Sequence, residues 1–207
     1  MKKIVFKMFS FDALVFLLLS FVLFYNGCSC KTVVQNQVTE IPQEVLVKAN
    51  AFIINKTGDD FFKKYITADF LQSKHIAPNY LMVYKFYMPE KPFVDSQIRF
   101  SVDSLGNVLK EYEIVGIPEC DSNPYNCDFV VDEKIAIQIA IENGLLKGIT
   151  DWKVDFIWDA KYNKYVWHIL NTISESKGEA GYRGNGMELI IDSNTGEVLA
   201  KTDWKVN

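Results

Sequence analysis

The side chains able to do chemistry in this chain are few: four cysteines, two histidines and scattered carboxylates. Cys120 and Cys127 bracket Asp121-Ser-Asn-Pro-Tyr-Asn126, a turn-rich segment. In an oxidising compartment such a pair favours a disulfide over free thiols, and closing so short a ring is worth about 2.5 kcal/mol on the chain-entropy model. Zinc fits less well, because structural zinc takes four ligands with closer cysteine pairs. The histidines, His75 and His168, lie far from the cysteines in sequence. His168 is flanked on its strand face by Val166 and Leu170, which suits a half-buried histidine better than a general base. No serine sits in a nucleophile elbow. Asp59 and Asp132 stand near helix starts and Asp103 and Asp192 open hairpins, so capping and turn chemistry account for them. Asp121-Ser-Asn-Pro and Asp192-Ser-Asn-Thr-Gly-Glu each supply only a fragment of a calcium loop. The expectation is no catalytic residue, no metal and no cofactor.

The N-terminus carries the other reactive thiol. Lys2, Lys3 and Lys7 precede an apolar run from Ala13 to Tyr25, followed by Asn26-Gly27-Cys28-Ser29-Cys30. A bilayer span needs about 20 predominantly apolar residues, and Lys7, Ser10 and Asp12 interrupt this run on one side. The pattern resembles the bacterial lipoprotein signal. That resemblance implies a signal peptide over residues 1–27, acylation of Cys28 and a tether over 28–40, the alternatives being a cleaved soluble form or a tilted anchor. Cys30 is the poorer acceptor, since it would put Cys28 inside the recognition box. Removing residues 1–27 takes away three of the 22 basic and one of the 26 acidic residues, leaving a net charge of about −6. A balance of this sign argues against nucleic acid, which demands a basic stripe.

Beyond the tether the periodicities predict an α+β fold. Pro42 suits a first helical turn, Val45, Ala49, Phe52 and Ile53 recur at helical spacing, and Gly58 stops the run. Asp59 and Asp60 are placed to cap a second helix bearing Phe61, Phe62, Tyr65, Ile66 and Phe70. Strands are expected over Tyr80–Met88, Gln97–Val102 and Val108–Val115. The order then repeats: a helix with Ile135, Ile139, Ala140 and Leu146 stopped by Gly148, then strands at Trp152–Trp158, Tyr165–Asn171, Met187–Ile191 and Val198–Trp204. Gly58 to Gly148 and Gly106 to Gly196 span the same interval, and Val108-Leu109 falls on Val198-Leu199 under that shift. The expected organisation is two tandem units, 41–118 and 132–207, joined by a loop over 119–131, each a helix packed on a curved antiparallel sheet.

The stretch from Asp132 to Trp204 resembles a PepSY domain, most specifically through the hairpin Glu188-Leu-Ile-Ile-Asp-Ser-Asn-Thr-Gly-Glu-Val-Leu199. The first unit matches through Val102-Asp-Ser-Leu-Gly-Asn-Val-Leu109. The resemblance implies a non-catalytic exported module. Relatives in the propeptides of thermolysin-type proteases suggest inhibition or chaperoning of a protease.

One segment has more chain than a hairpin requires: Ser174 to Gly186, which is read as a recognition loop presenting Tyr182 and Arg183. The sheet face around Trp158 and Trp167 is the second candidate surface. The expected function is a lipid-anchored envelope protein, on the exported side of a bacterial membrane, that binds or restrains a protein partner, a protease among the possibilities. A glycan or small-molecule binder using Trp158, Tyr162, Tyr182 or Trp204 is the alternative, and a hydrolase comes third. For the N-terminus the expected outcome is that Cys28→Ala abolishes acylation and releases the protein from the membrane fraction. Intact mass of the wild-type protein checks it, and a mass without lipid or an uncut N-terminus refutes it.

Overall fold

Pro42 has no N–H to satisfy, and it forms the N-cap of the first helix, α1 (Gln43–Thr57). Val45, Ala49, Ile53 and Thr57, each four apart, are its buried stripe. Gly58, at φ +83°, ends it and at once starts α2 (Asp59–Tyr65). Asp59 and Asp60 therefore sit in the first turn of α2 rather than capping it, and Ile66 leaves the helix to begin β1. The computed structural model describes residues 40–178 and 181–206. The stretches expected to be a signal peptide (1–27) and, but for Glu40, a tether (28–40) lie outside them, Cys28 and Cys30 included.

The third helix, α3 (Glu133–Glu142), starts as its sequence predicts, with the Asp132 carboxylate accepting from Ile135 N at 2.9 Å. It ends earlier than expected. The Leu145 amide bonds Ala140 O and Gly144 takes φ +72°, a left-handed stop that glycine adopts at low cost. Gly148 has a different duty, lying where a Cβ would come 2.7 Å from Thr172 O.

Two antiparallel sheets follow the same chain order. In the first, β3 (Asn79–Tyr87) is central, with β4 (Asp95–Val102) along one side and the short β1 (Ile66–Ala68) and β2 (Lys74–Ile76) in line along the other. In the second, β8 (Gly181–Asp192) is central. β9 (Val198–Val206) lies on one side, β6 (Lys164–Leu170) and β7 (Ser174–Gly178) share the other, and β5 (Lys153–Asp159) borders β6. The expected strand Val108–Val115 is reduced to two bridges, Val102↔Val108 and Arg99↔Val115. Its central run, Lys110 to Glu113, is polar and exposed, and offers no alternation to hold a strand on a core.

α1 packs on the first sheet, where Val45, Ala49 and Ile53 join Met82, Tyr84, Ile98 and Phe100 in one core. α3 lays Ala136 and Ala140 on Trp167, Ile169, Leu189 and Ile191 of the second. The two cores meet in an aromatic seam. Phe93 and Phe156 pack against both, and Tyr165 stacks on Phe156 at 5.1 Å while meeting Phe86, Phe129 and Trp158 at its edges. Burial pushes the Tyr165 hydroxyl pKa up, beyond the ordinary tyrosine range. That hydroxyl donates to Gly116 O at 2.9 Å and contacts Ser96 Oγ at 3.3 Å. Gly116 has φ +80°, and a Cβ there would sit 2.4 Å from Gln97 O. Outside the seam, the Cys120–Cys127 disulfide closes the loop that the Cys120 and Asp121 amides hang on Lys56 O at the end of α1.

β6 and β7 are one path broken by a bulge. The register with β8 slips by one between Leu170↔Glu188 and Ser174↔Asn185. Asn171 holds the break: its Nδ2 donates to Leu146 O, its Oδ1 accepts from Met187 N, both at 2.6 Å, and its carbonyl accepts from Trp204 Nε1 at 2.8 Å. Removing the buried amide takes the acceptor from Met187 N and one of two donors from Leu146 O, which keeps the Trp152 indole at 3.1 Å, so Asn171→Ala is expected to destabilise by about 1–3 kcal/mol. Gly186→Ala, whose Cβ would lie 2.0 Å from Asn171 O, is expected to cost about 1–3 kcal/mol. Urea unfolding of each variant at unchanged m-value measures both.

Candidate functional site

α3 covers one face of the second sheet, and among the described residues no helix lies on the other. Antiparallel pairing puts Asp155 of β5, His168 of β6, Ile190 and Glu188 of β8, and Ala200 and Thr202 of β9 on that open face. His168 Nε2 and Glu188 Oε1 are 2.6 Å apart, and Thr202 donates to Glu188 Oε2 at 3.1 Å. The order decides what chemistry is possible. In a nucleophilic triad the histidine stands between hydroxyl and carboxylate. Here the carboxylate stands between, so His168 has no contact through which to take the Thr202 proton. The row can hold a polar ligand but not activate this hydroxyl.

Further along the same face, β8 carries glycine at alternate positions, 184 and 186. The Trp204 indole leaves β9, crosses flat over Gly186 and bonds Asn171 O on the far strand. A Cβ on Gly186 would be 2.6 Å from Trp204 Nε1. Tyr182 folds back over Gly184, where a Cβ would lie 2.8 Å from its hydroxyl and 3.2 Å from the Trp204 ring edge. The Tyr182 hydroxyl reaches Glu175 Oε2 on β7 at 3.2 Å. Desolvation first and the neighbouring carboxylate second push its pKa up, so it remains a donor at neutral pH. Together the two rings form an aromatic shelf lying directly on the strand backbone.

The sequence-predicted residues are distributed differently from expectation. Ser174 to Gly186 is not an irregular loop: it is the β7–β8 hairpin, paired from Ser174↔Asn185 to Gly178↔Gly181. Gly184 and Gly186 lie within the paired part of β8, Gly181 turns the chain at φ +101°, and the alternation continues that of β6. The period of two then separates Tyr182 from Arg183. Arg183 faces the other side, over an open groove of about 300 Å³ with Ser174, Ser176, Asn185 and Lys205. Trp167 is 2% exposed and donates to Val131 O at 2.7 Å, so it packs the core and offers no surface. Trp158 borders the other core, that of the first sheet, its indole N–H buried without a hydrogen-bond partner among the described residues. Tyr162 is half-buried and spends its hydroxyl on Leu199 O at 3.1 Å. Sequence reasoning missed Glu175, Gly184, Gly186, Glu188 and Thr202. The usable signal was Tyr182-x-Gly184-x-Gly186, an alternation that keeps three positions on one strand face.

A second concavity, about 620 Å³, opens beside the disulfide between α2 and the segment after β3. Its rim holds Asp59, Asp60, Glu90, Asp121 and Asp128, and its floor Phe61 and Met88. The Glu90 carboxyl is held down at about 2 by the Tyr65 hydroxyl, by its own backbone amide and by Lys64. Among the described residues no three His, Cys, Asp or Glu side chains gather as a metal site, and no helix is long and apolar enough to cross a membrane. Compared with known proteins, the chain matches no family model and no curated protein.

Because the folded pKa of Glu90 is depressed below its ordinary 4.5, its contribution to stability is present above that value and is lost as pH falls towards about 2. Tyr65→Phe removes the first cause. The variant is expected to be less stable than wild type at pH 7, with the gap closing between pH 4.5 and 2. Thermal melts across that range test this, and a pH-independent gap refutes it.

Proposed function

We propose that this chain is a non-catalytic module, tethered to a membrane of the cell envelope, that binds and restrains an envelope protein through its β7–β8 hairpin. The observation that carries the reading is that all five residues of β7 are exposed and one edge of the strand is unpaired among the described residues. An extended segment of another protein can add there as a further strand. Lys177 lies opposite Tyr182, next to the closing pair Gly178↔Gly181. In a two-residue hairpin the closing pair is hydrogen-bonded and the next is not, so the Lys177 amide and carbonyl face the free edge.

A tandem origin of the two halves supports a module built for binding rather than catalysis. α1 and α3 each precede an antiparallel sheet. Asp103 Oδ1 accepts from Leu105 N and Asn107 N, Asp192 Oδ1 from Asn194 N and Thr195 N, and each turn is followed by a pairing, Val102↔Val108 or Ile191↔Val198. The resemblance of the second half to a PepSY domain, with the export signal before it, supplies the envelope setting and a protease as one class of partner.

The test is photo-crosslinking in intact envelopes from a reporter at Lys177, in wild-type protein and in a variant with proline at Glu175, the other outward position of β7. A discrete crosslink to another protein, lost with proline while the melting temperature holds, is the expected result. Absence of any hairpin-dependent crosslink refutes the reading.

A further inference from the structure

We infer that the shelf formed by Tyr182 and Trp204 is a carbohydrate-binding site that takes a neutral pyranose ring, separate from the edge of β7. The inference begins with what the two glycines do. Any side chain at 184 or 186 would collide with these rings, at 2.8 Å from the Tyr182 hydroxyl and 2.6 Å from the Trp204 indole nitrogen. The bare backbone lets the hydroxyl end of Tyr182 come in over Gly184 and the indole of Trp204 pass over both glycines. Tyr182 is 44% exposed although its ring is fixed in this way. Trp204 is held at both ends, by its own strand and by the hydrogen bond to Asn171 O at 2.8 Å. Neither ring needs reordering to receive a ligand, which removes part of the entropic cost of binding.

The shape and charge of the shelf select the occupant. Gly184 and Gly186 are two strand residues apart, roughly 7 Å, so the Tyr182 hydroxyl end and the Trp204 ring edge that meet over Gly184 offer an aromatic area on the scale of one six-membered ring. The axial C–H bonds of a pyranose carry partial positive charge and suit the negative face of an aromatic. Around the shelf the groups are acceptors. Glu175 is bonded through Oε2 to Tyr182, and Glu188 holds His168 and Thr202 with one oxygen each. Each carboxylate oxygen has lone pairs to spare for a sugar hydroxyl. Farther along the same face Asp155, opposite His168, is paired with Lys153 at 2.8 Å, and Lys177 stands opposite Tyr182. With Glu175 and Glu188 the nearest charged acceptors, the rim accepts neutral hydroxyls and offers phosphorylated, sulfated or uronic rings no cluster of cations.

The probes are the β-1,4-linked tetramers of N-acetylglucosamine and of glucose, titrated into the full-length chain in detergent, with a tetragalacturonate and a proline-rich peptide as comparisons. Expected is saturable binding of a neutral tetramer, a shift of the Trp204 indole N–H resonance with none for buried Trp167, and about ten-fold weaker binding in Tyr182→Ala. Melting of Tyr182→Ala is checked alongside. Should that variant be unfolded, Glu175→Gln, with weaker binding and unchanged melting, gives the same reading. Three results overturn the inference: no binding of either neutral tetramer at 10-millimolar scale, binding that leaves the Trp204 resonance unmoved, or tighter binding of the tetragalacturonate or the peptide. Lys177 crosslinking to protein is independent of all three, so failure here and failure of the hairpin reading are told apart.

Discussion

The buried hydroxyl of Tyr165 is the constraint around which both halves of the chain are arranged. A phenol with 1% exposure must find a partner, because an unbonded polar group in such surroundings costs several kilocalories. Its partners, Gly116 O and Ser96 Oγ, lie beside the first sheet while its ring belongs to the second. Gly116 must then be glycine twice over: its φ is positive, and Gln97 O occupies the space of a side chain. Around this bond Phe156 stacks on the Tyr165 ring, Phe129 and Trp158 meet it edge to face, and Phe86 lies tilted against it. Two sheets that could each bury only one face share a core through it.

How much of this was legible in the sequence depended on whether the cause was local. The α1 stripe, the Asp132 cap, the turns at Asp103 and Asp192, and the pairing of Cys120 with Cys127 all follow from residues close in the chain, and all occur as read. At Gly148 and Trp167 the cause is contact across long separations. Gly148 has the sequence look of a helix stop, but the carbonyl of Thr172 demands it, and Asn143-Gly144 closes the helix before it. Trp167 has the look of a surface residue because nothing local states that Phe93 will lie 5.3 Å away. Val108 to Val115 has strand composition at its ends, yet its middle is too polar to stay on the core. Alternation was visible from Tyr182 to Gly186, but glycines read as flexibility mask it; only with Trp204 lying across them do they read as a flat seat.

β8 concentrates the division of labour in the second sheet. Its C-terminal half carries Leu189 and Ile191 into the core under α3, and its N-terminal half carries glycine and exposed residues beyond the helix. Asn171 marks the border: it satisfies Met187 N on β8 and Leu146 O after α3, and receives the Trp204 indole. One buried amide thus fixes the bulge, the chain after α3 and the shelf. A fault at Asn171 would move all three together, whereas changes at Tyr182 or along β7 touch groups that the core does not use.

That separation has a consequence for how recognition is built here. A loop carrying the same Tyr and Arg would have presented them together, at the entropic cost of ordering the loop on binding. A strand divides them instead, Tyr182 towards the aromatic shelf and Arg183 towards the opposite groove, and fixes both in advance through the register of β7 and β9. The hairpin therefore has three distinct chemistries within a few residues: a flat aromatic face with acceptor groups, a cationic face with Arg183 and Lys205, and a free backbone edge. Each is oriented in a direction the others do not share, so a partner that engages the edge need not cover the shelf. Rigidity imposed by Trp204 and Asn171, more than any single contact, is what would let the two proposed recognition events share so small a piece of sheet.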